Sequence, residues 1–157
     1  MQKVRPALRT EAQTLSDLAI RSKAHWGYRT EELEVFRDEL TLSASDCVEG
    51  LVRVVERDSK ILGFYKIIDD YPAGELDCLF VDPEYIGTGL GKLLFNRAIS
   101  HATALGINDL MIVSDPNAVG FYEYMGAELV DYQRRQSIAE RSLPVLHIEI
   151  AEVLENV

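Results

Sequence analysis

The chain has little cysteine and little histidine. Its two cysteines, Cys47 and Cys78, lie far apart among 157 residues without metal-ligand spacing, so we expect both to be reduced. Its three histidines, His25, His101 and His147, are equally scattered and form no zinc motif. The sequence therefore predicts a protein that needs no metal ion.

Long hydrophobic runs and basic residues are also scarce. No apolar run is long enough to cross a bilayer, and residues 1–10 carry three basic side chains, which predicts no membrane partner, no signal peptide and a cytoplasmic location. Sixteen basic against 26 acidic residues give a net charge of -10. Such a charge repels phosphate backbones, which argues against nucleic acid as a partner, and it favours the approach of a cationic amine.

The order of predicted elements indicates a single domain over residues 1–157. Asp58-Ser59 joins two β-rich runs into a hairpin, Thr10 and Thr30 open the first two helices, and Asn117 caps a later one. We predict strands over 4–9, 51–57, 61–68, 75–81, 110–114, 126–137 and 143–150, and helices over 10–22, 30–40, 89–105 and after 117.

A glycine-rich turn follows the predicted strand 75–81. In Ile86-Gly87-Thr88-Gly89-Leu90-Gly91 the alternate glycines let consecutive N–H groups converge on an anion at the positive end of the next helix. The Walker A spacing fails, because Ile86 and Leu93 stand where that loop needs Gly and Ser or Thr. The dinucleotide fingerprint fails as well, because Lys92 or Leu94 stands at its third Gly.

This run resembles the acyl-coenzyme A loop of the GNAT superfamily of N-acetyltransferases, Arg/Gln-x-x-Gly-x-Gly/Ala. Gly89 and Gly91 are the diagnostic glycines, whereas Ile86 stands where Arg or Gln is usual. Only backbone donors remain at that position, so we expect weaker cofactor binding than is usual. A second segment, Asn117 to Ala127, is similar to the family's downstream Asn-x-x-Ala-x-x-Phe-Tyr-x-x-x-Gly-Phe/Ala.

The resemblance covers nearly the whole chain and implies an α/β fold. The expected sheet is mixed and mostly antiparallel, of about seven strands with about four helices, and its fourth and fifth strands start parallel and splay apart. Coenzyme A is expected to insert its pantetheine arm there, with the N–H of Leu79 serving the oxyanion and Val81 pairing with pantetheine. Further cofactor contacts are expected from Ile86, Gly87, Thr88, Gly89, Leu90, Gly91, Lys92, Asn117 and Tyr122. Lys92 could equally be a plain surface lysine, and Asn117 a helix cap.

Transfer to an amine needs a base, because a free alkylamine with a pKa of about 10.4 is protonated at neutral pH. Glu75 lies eleven residues before Ile86, the separation found in the histone-acetylating branch, so the resemblance makes Glu75 the general base. Asp77 shares its strand face and is the alternative base or an amine anchor. Both could equally be polar residues at an exposed strand start.

Coenzyme A leaves as a thiolate, which benefits from a proton donor. The resemblance gives this role to Tyr122, and the alternative is a core aromatic with a hydrogen-bonded tip. Phe121 and Tyr124 diverge from Tyr122 around the helix and are expected to pack. Trp26 and Tyr28, between the first two helices, are expected to line the acceptor pocket or to form a hydrophobic plug.

Together these features predict an N-acetyltransferase that moves the acetyl group of acetyl-coenzyme A directly to a primary amine of a small molecule. The sequence leaves open a protein N-terminus or lysine as acceptor, a longer acyl donor, and a non-catalytic acyl-coenzyme A sensor. It also leaves open a homodimer.

Overall fold

The computed structural model describes residues 1–49, 51–134 and 142–150. Its strands are β1 Gln2–Pro6, β2 Val52–Arg57, β3 Lys60–Asp70, β4 Ala73–Val81, β5 Asp109–Val113, β6 Glu128–Arg134 and β7 Ser142–Glu149. Its helices are α1 Ala12–Ala24, α2 Thr30–Leu40, α3 Leu90–Ala104 and α4 Val119–Tyr124. Short 3₁₀ turns lie at Arg9–Glu11, Ser45–Cys47, Pro83–Tyr85 and Pro116–Ala118.

The seven described strands form a sheet in the order β1-β2-β3-β4-β5-β7-β6. β4 and β5 run parallel, whereas the pairs β1–β2, β2–β3, β5–β7 and β6–β7 are antiparallel. The predicted fold class, a mixed and mostly antiparallel seven-strand sheet with four helices, is thus confirmed. In the part of the chain described, no helix has the length and hydrophobicity needed to cross a membrane.

The chain divides into two compact units, and the first contains residues 1–66 and 79–94. Helix α1 buries Leu15, Leu18 and Ala19, whose spacing places them on one helical face. Strands β2 and β3 contribute side chains such as Val54 and Phe64, which are fully buried. This apolar core supports the elements that carry the glycine-rich turn.

The predicted hairpin between β2 and β3 is confirmed. Asp58 and Ser59 have φ angles of 51° and 68°. Two positive φ values are what a two-residue turn needs to match the twist of its strands, and Asp tolerates this conformation better than most residues. The hairpin fixes the positions of Arg57 and Lys60 on either side of the turn.

The beginning of the chain differs from the prediction. Strand β1 is Gln2–Pro6 and not 4–9, and Thr10 lies inside a 3₁₀ turn and does not cap α1. The Glu11 carboxylate accepts the N–H of Leu8 at 2.8 Å and pairs with the Arg5 guanidinium at 2.7 Å. Through these two contacts the Glu11 carboxylate connects the start of the 3₁₀ turn to strand β1.

The second unit contains residues 67–78 and 95–157. Its buried side chains include Leu110 and Ile112 of β5 and Ile148 of β7, which alternate along their strands. Strand β6 starts two residues later than the predicted strand 126–137, whose residues 135–137 lie outside the described part of the chain. Within this unit the parallel ladder joins Ala73–Leu76 of β4 to Asp109–Ile112 of β5.

Candidate active site

The glycine-rich turn forms an exposed loop that opens α3. Gly87 and Gly89 have φ angles of 84° and 89°, the left-handed region in which residues with a Cβ are strained. A Cβ added at either glycine would meet no atom within 4 Å, so the backbone faces open space. Helix α3 begins at Leu90, and the first N–H groups of a helix have no intrahelical partner. The loop therefore has the room and the donors to hold a phosphate group.

The other residues of the loop differ in exposure. Ile86 and Thr88 are exposed, Leu90 is buried, and Lys92 is exposed in the first turn of α3. The Ile86 side chain adds no polar group beside the loop. The prediction of weaker cofactor binding therefore stays a prediction.

A carboxylate that the sequence analysis passed over shapes the start of this loop. Asp82 is buried, and its Oδ1 accepts the N–H of Glu84 at 3.0 Å, which caps the 3₁₀ turn Pro83–Tyr85. The same arrangement recurs after β5, where Asp115 Oδ1 accepts the N–H of Asn117 at 2.8 Å. Asp-Pro dipeptides favour turn initiation, so this signal was readable in the sequence.

Asn117 was predicted to cap the helix that follows it, and that prediction is wrong. Asn117 lies inside the turn Pro116–Ala118, and Ala118 is the N-cap residue of α4 without a side-chain cap. The Asn117 side-chain amide donates to Asp115 Oδ1 at 2.9 Å. Asp115 takes the capping position because it precedes the proline and accepts both N–H groups.

Glu75 and Asp77 lie in β4 and share one face of the strand. Gly74 and Leu76 are buried on the opposite face, whereas Glu75 and Asp77 are half-buried. Glu75 pairs with Met111 of β5, and the parallel ladder ends one residue later at Leu76 and Ile112. Both carboxylates can therefore act from the same side of the strand.

Strand β4 continues past this ladder to Val81. Leu79 and Val81 belong to this continuation and are half-buried. Residues two apart on a strand point their N–H groups to the same edge. The N–H groups of Leu79 and Val81 therefore point to one edge of β4, and their main-chain roles stay predictions.

Tyr122 is buried in α4, with 6% of its surface exposed. Its ring lies against Phe95 and Phe121, at centroid distances of 6.0 and 5.2 Å. Burial raises the pKa of the Tyr122 phenol well above its ordinary value, and the Cys78 thiol and the Asp115 carboxylate add to the rise. At neutral pH the phenol is therefore un-ionised and can donate a proton in a hydrogen bond.

The two aromatic neighbours of Tyr122 in sequence differ from each other. Phe121 packs edge-on against Phe95 at 6.2 Å, as predicted. Tyr124 is 79% exposed, so the prediction that it packs is wrong. Its position in the last turn of the short helix α4 leaves no facing element for its ring among the described contacts.

Trp26 and Tyr28 lie in the connection between α1 and α2 but have different surroundings. Trp26 is 45% exposed and lies edge-on to His25 at 5.3 Å. Tyr28 packs against the buried Phe36 at 4.8 Å, and the Lys23 ammonium lies 5.7 Å from its ring centroid. The Tyr28 ring is thus engaged within its own unit, and Trp26 offers the accessible aromatic face.

Both cysteines are free, and Cys78 is half-buried in β4. Over the ranges that the structure describes, no group of three or more His, Cys, Asp or Glu residues could hold a metal ion. The predicted independence from metals stays a prediction.

Comparison with known proteins identifies the family of this chain. The family model described as "Acetyltransferase (GNAT) family" matches residues 12–127. The chain therefore belongs to the GNAT acetyltransferase family.

Individual relatives agree with this assignment. An amino-acid acetyltransferase from Pseudomonas putida (strain GB-1) is 36% identical over 104 residues, which cover 57% of this chain and 24% of that protein. The chain thus spans about a quarter of the length of the curated relatives it matches.

Two solved structures share the fold. The PaiA N-acetyltransferase from Thermoplasma acidophilum, in complex with coenzyme A, has a TM-score of 0.80 at 22% identity over 95% of this chain and 99% of its own. The N-acetylglutamate synthase from Neisseria gonorrhoeae, complexed with coenzyme A and N-acetyl-glutamate, has a TM-score of 0.69 at 19% identity over 96% of this chain and 35% of its own. At these identities the likeness supports the fold.

Proposed function

We propose that this protein is an N-acetyltransferase that transfers the acetyl group of acetyl-coenzyme A directly to a primary amine of a small molecule. The observation that carries the proposal is the exposed loop with left-handed Gly87 and Gly89 at the start of α3, inside the region that matches the family. Amino acids are the first acceptors to test, because relatives at 33 to 36% identity are named amino-acid acetyltransferases.

The proposed coenzyme contacts are mostly main-chain groups. The backbone of residues 86–92 binds the diphosphate at the N-terminus of α3, where the helix dipole favours a negative charge. The N–H groups of Ile86 and Thr88 donate within the turn, so the donors are the other N–H groups of this segment. Val81 pairs with the pantetheine arm, and the N–H of Leu79 stabilises the oxyanion that forms on the thioester carbonyl. Lys92 adds a positive charge near the phosphates. These groups supply binding and orientation, and acetyl-coenzyme A supplies the activated acetyl group. When the new amide bond forms and the thioester bond breaks, coenzyme A leaves as a thiolate, which takes a proton from the un-ionised phenol of Tyr122.

The acceptor amine must be neutral when it attacks. We propose that Glu75, or Asp77 on the same face of β4, takes the ammonium proton directly or through water. The net charge of -10 favours the approach of an ammonium group. The exposed ring of Trp26 provides an aromatic face for a cationic or apolar acceptor.

An acceptor panel tests the proposal. Release of free thiol from acetyl-coenzyme A is measured with amino acids, other small primary amines, and peptides with a free N-terminus. Amino acids with a blocked amine are the matched control, since they keep the carboxylate and side chain. We expect thiol release with small amines and none with the blocked forms. Activity confined to peptides would overturn the proposal of a small-molecule acceptor. Coenzyme binding without acetyl transfer to any acceptor would mean that the protein is a coenzyme sensor and not an enzyme.

The base can be located from the pH dependence of the rate. We expect kcat/KM to rise with pH both as the catalytic carboxylate loses its proton and, at alkaline pH, as the acceptor amine does, so the ascending limb at acidic pH reports the carboxylate. Glu75→Gln removes the limb if Glu75 is the base, and Asp77→Asn leaves it in place. The measurement is kcat/KM for one amine acceptor between acidic and alkaline pH.

The two neutral variants are matched controls for each other, because they lie on one strand face and keep the side-chain shape. The opposite pattern, with the limb lost only in Asp77→Asn, would transfer the role to Asp77. Wild-type profiles in both variants would show that neither carboxylate is the base.

A further inference from the structure

The carboxylate of Asp82 fixes the turn before the glycine-rich loop, because it binds both helix α1 and the turn itself. The Asp82 side chain is 7% exposed and pairs with the Arg21 guanidinium of α1, whose side chain is 52% exposed. Arg21 Nη2 donates to Oδ2 at 3.1 Å, and the N–H of Glu84 donates to Oδ1 at 3.0 Å. A buried carboxylate is costly unless charged and hydrogen-bonding partners compensate it. These two partners therefore hold the carboxylate in one orientation.

Main-chain hydrogen bonds carry this orientation from Asp82 into the loop. The N–H of Asp82 donates to the Leu62 carbonyl of β3 at 2.8 Å, which fixes the end of β4. The Asp82 carbonyl accepts the N–H of Tyr85 at 2.8 Å, and the Tyr85 carbonyl accepts the N–H of Thr88 at 3.3 Å. Thr88 lies between Gly87 and Gly89, so two hydrogen-bonded steps connect Asp82 to the loop.

The charges around Arg21 favour an indirect role for this residue. Arg21, Lys60, Asp82, Pro83 and Glu84 line a shallow depression, in which two cations face two carboxylates. The Lys60 ammonium lies 3.6 Å from a Glu84 carboxylate oxygen. Because the positive charges are balanced locally, the depression itself is a poor anion site, and Arg21 acts on the loop through Asp82.

We propose that Asp82, oriented by Arg21, is a positioning residue for the binding of acetyl-coenzyme A. The pair holds the turn so that residues 86–89 are already in the conformation that the diphosphate needs. When a loop visits its binding conformation only part of the time, the apparent affinity falls by that fraction. This inference rests on the proposed function, since it concerns the same coenzyme site.

The test is a double-mutant cycle on the ion pair. Asp82→Asn keeps an oxygen for the Glu84 N–H and loses the charge that Arg21 binds, and Arg21→Met keeps the aliphatic stem. We expect each variant to bind coenzyme A about three- to fivefold more weakly by calorimetry, as for a half-exposed ion pair. The double variant should be no weaker than either single one, because both remove one interaction. Arg21→Lys should recover most of the affinity.

Kinetics and stability separate positioning from general destabilisation. KM for acetyl-coenzyme A should rise by the same factor in both single variants, while kcat at saturating coenzyme stays unchanged. Lys66→Met is the matched control, since it removes an ion pair with Asp46, at 3.5 Å, in the same unit away from the loop. It should lower the melting temperature without changing coenzyme affinity.

Wild-type affinity in both Arg21→Met and Asp82→Asn would overturn this inference, whatever their melting temperatures, and would leave the proposed function intact. Weaker binding that is additive in the double variant would overturn it too, because the residues would then act independently. A wild-type protein that does not bind coenzyme A would overturn the proposed function together with the inference.

Discussion

Gly89→Val is expected to lower coenzyme A affinity by at least about 100-fold. A left-handed φ costs a residue with a Cβ about 1–2 kcal/mol, and a β-branched side chain is disfavoured most, so the loop would relax away from the observed φ of 89°. Re-forming the loop for binding would then cost about tenfold in affinity. In addition, the new side chain would fill the open face on which the diphosphate is proposed to lie. Titration calorimetry with coenzyme A measures the loss.

Gly27→Val is the matched control for this prediction. Gly27 has a φ of 84° and, like Gly89, no atom within 4 Å of an added Cβ. The backbone strain is therefore the same, but Gly27 lies in the connection between α1 and α2. We expect Gly27→Val to lose stability and to keep its coenzyme affinity. Equal losses of affinity in the two variants would mean that backbone strain, and not the position of Gly89 in the glycine-rich loop, explains the effect.

The glycine-rich loop was predictable because its conformation is encoded locally. Gly87 and Gly89 are the residues that adopt a left-handed φ at low cost, and they stand between an apolar strand and an amphipathic helix. The hairpin at Asp58-Ser59 was predictable for the same reason. In both places residues close in sequence determine the backbone conformation, so their spacing was sufficient to predict it.

The role of Asp82 could be predicted only in part. The Asp-Pro dipeptide predicts the turn, but Arg21, the ion-pair partner of Asp82, lies 61 residues away in sequence. Asn117 shows a local limit: Asp115 and Asn117 are candidate caps two residues apart, and Asp115, which precedes the proline, is the cap of the turn. An ion pair between residues far apart in sequence forms only when the sheet and helices have assembled. A single sequence therefore does not show which residues form it.

The residues proposed for the acceptor side, Trp26 and Tyr28, had the least predictable surroundings. The sequence places Trp26 and Tyr28 together, yet Tyr28 packs on Phe36 while Trp26 is exposed. Helical periodicity predicts that an aromatic residue lies near a helix end, but it does not predict which side chains the aromatic ring contacts. Acceptor choice depends on such contacts, so the fold alone does not name the amine.

Tyr124→Phe, on the same helix as Tyr122, should leave both activity and stability unchanged. Tyr124 is 79% exposed, so removal of its hydroxyl alters neither a packed contact nor a buried polar group. This variant is the matched control for the substitution of Tyr122, because both changes remove one phenol oxygen from α4. Tyr124→Phe therefore measures the effect on activity and stability of removing a solvent-exposed hydroxyl from α4.

Tyr122→Phe is expected to lower kcat by about 10²-fold while the affinity for coenzyme A stays within about twofold. The ring contacts with Phe95 and Phe121 remain, so the variant should fold with an unchanged or higher melting temperature. The raised pKa of the phenol adds a pH signature. Because Tyr122 keeps its proton beyond the ordinary titration range of tyrosine, it should cause no fall of kcat below about pH 10. Full activity with a lowered melting temperature would instead assign Tyr122 to packing, and steady-state kinetics with calorimetry distinguish the two results.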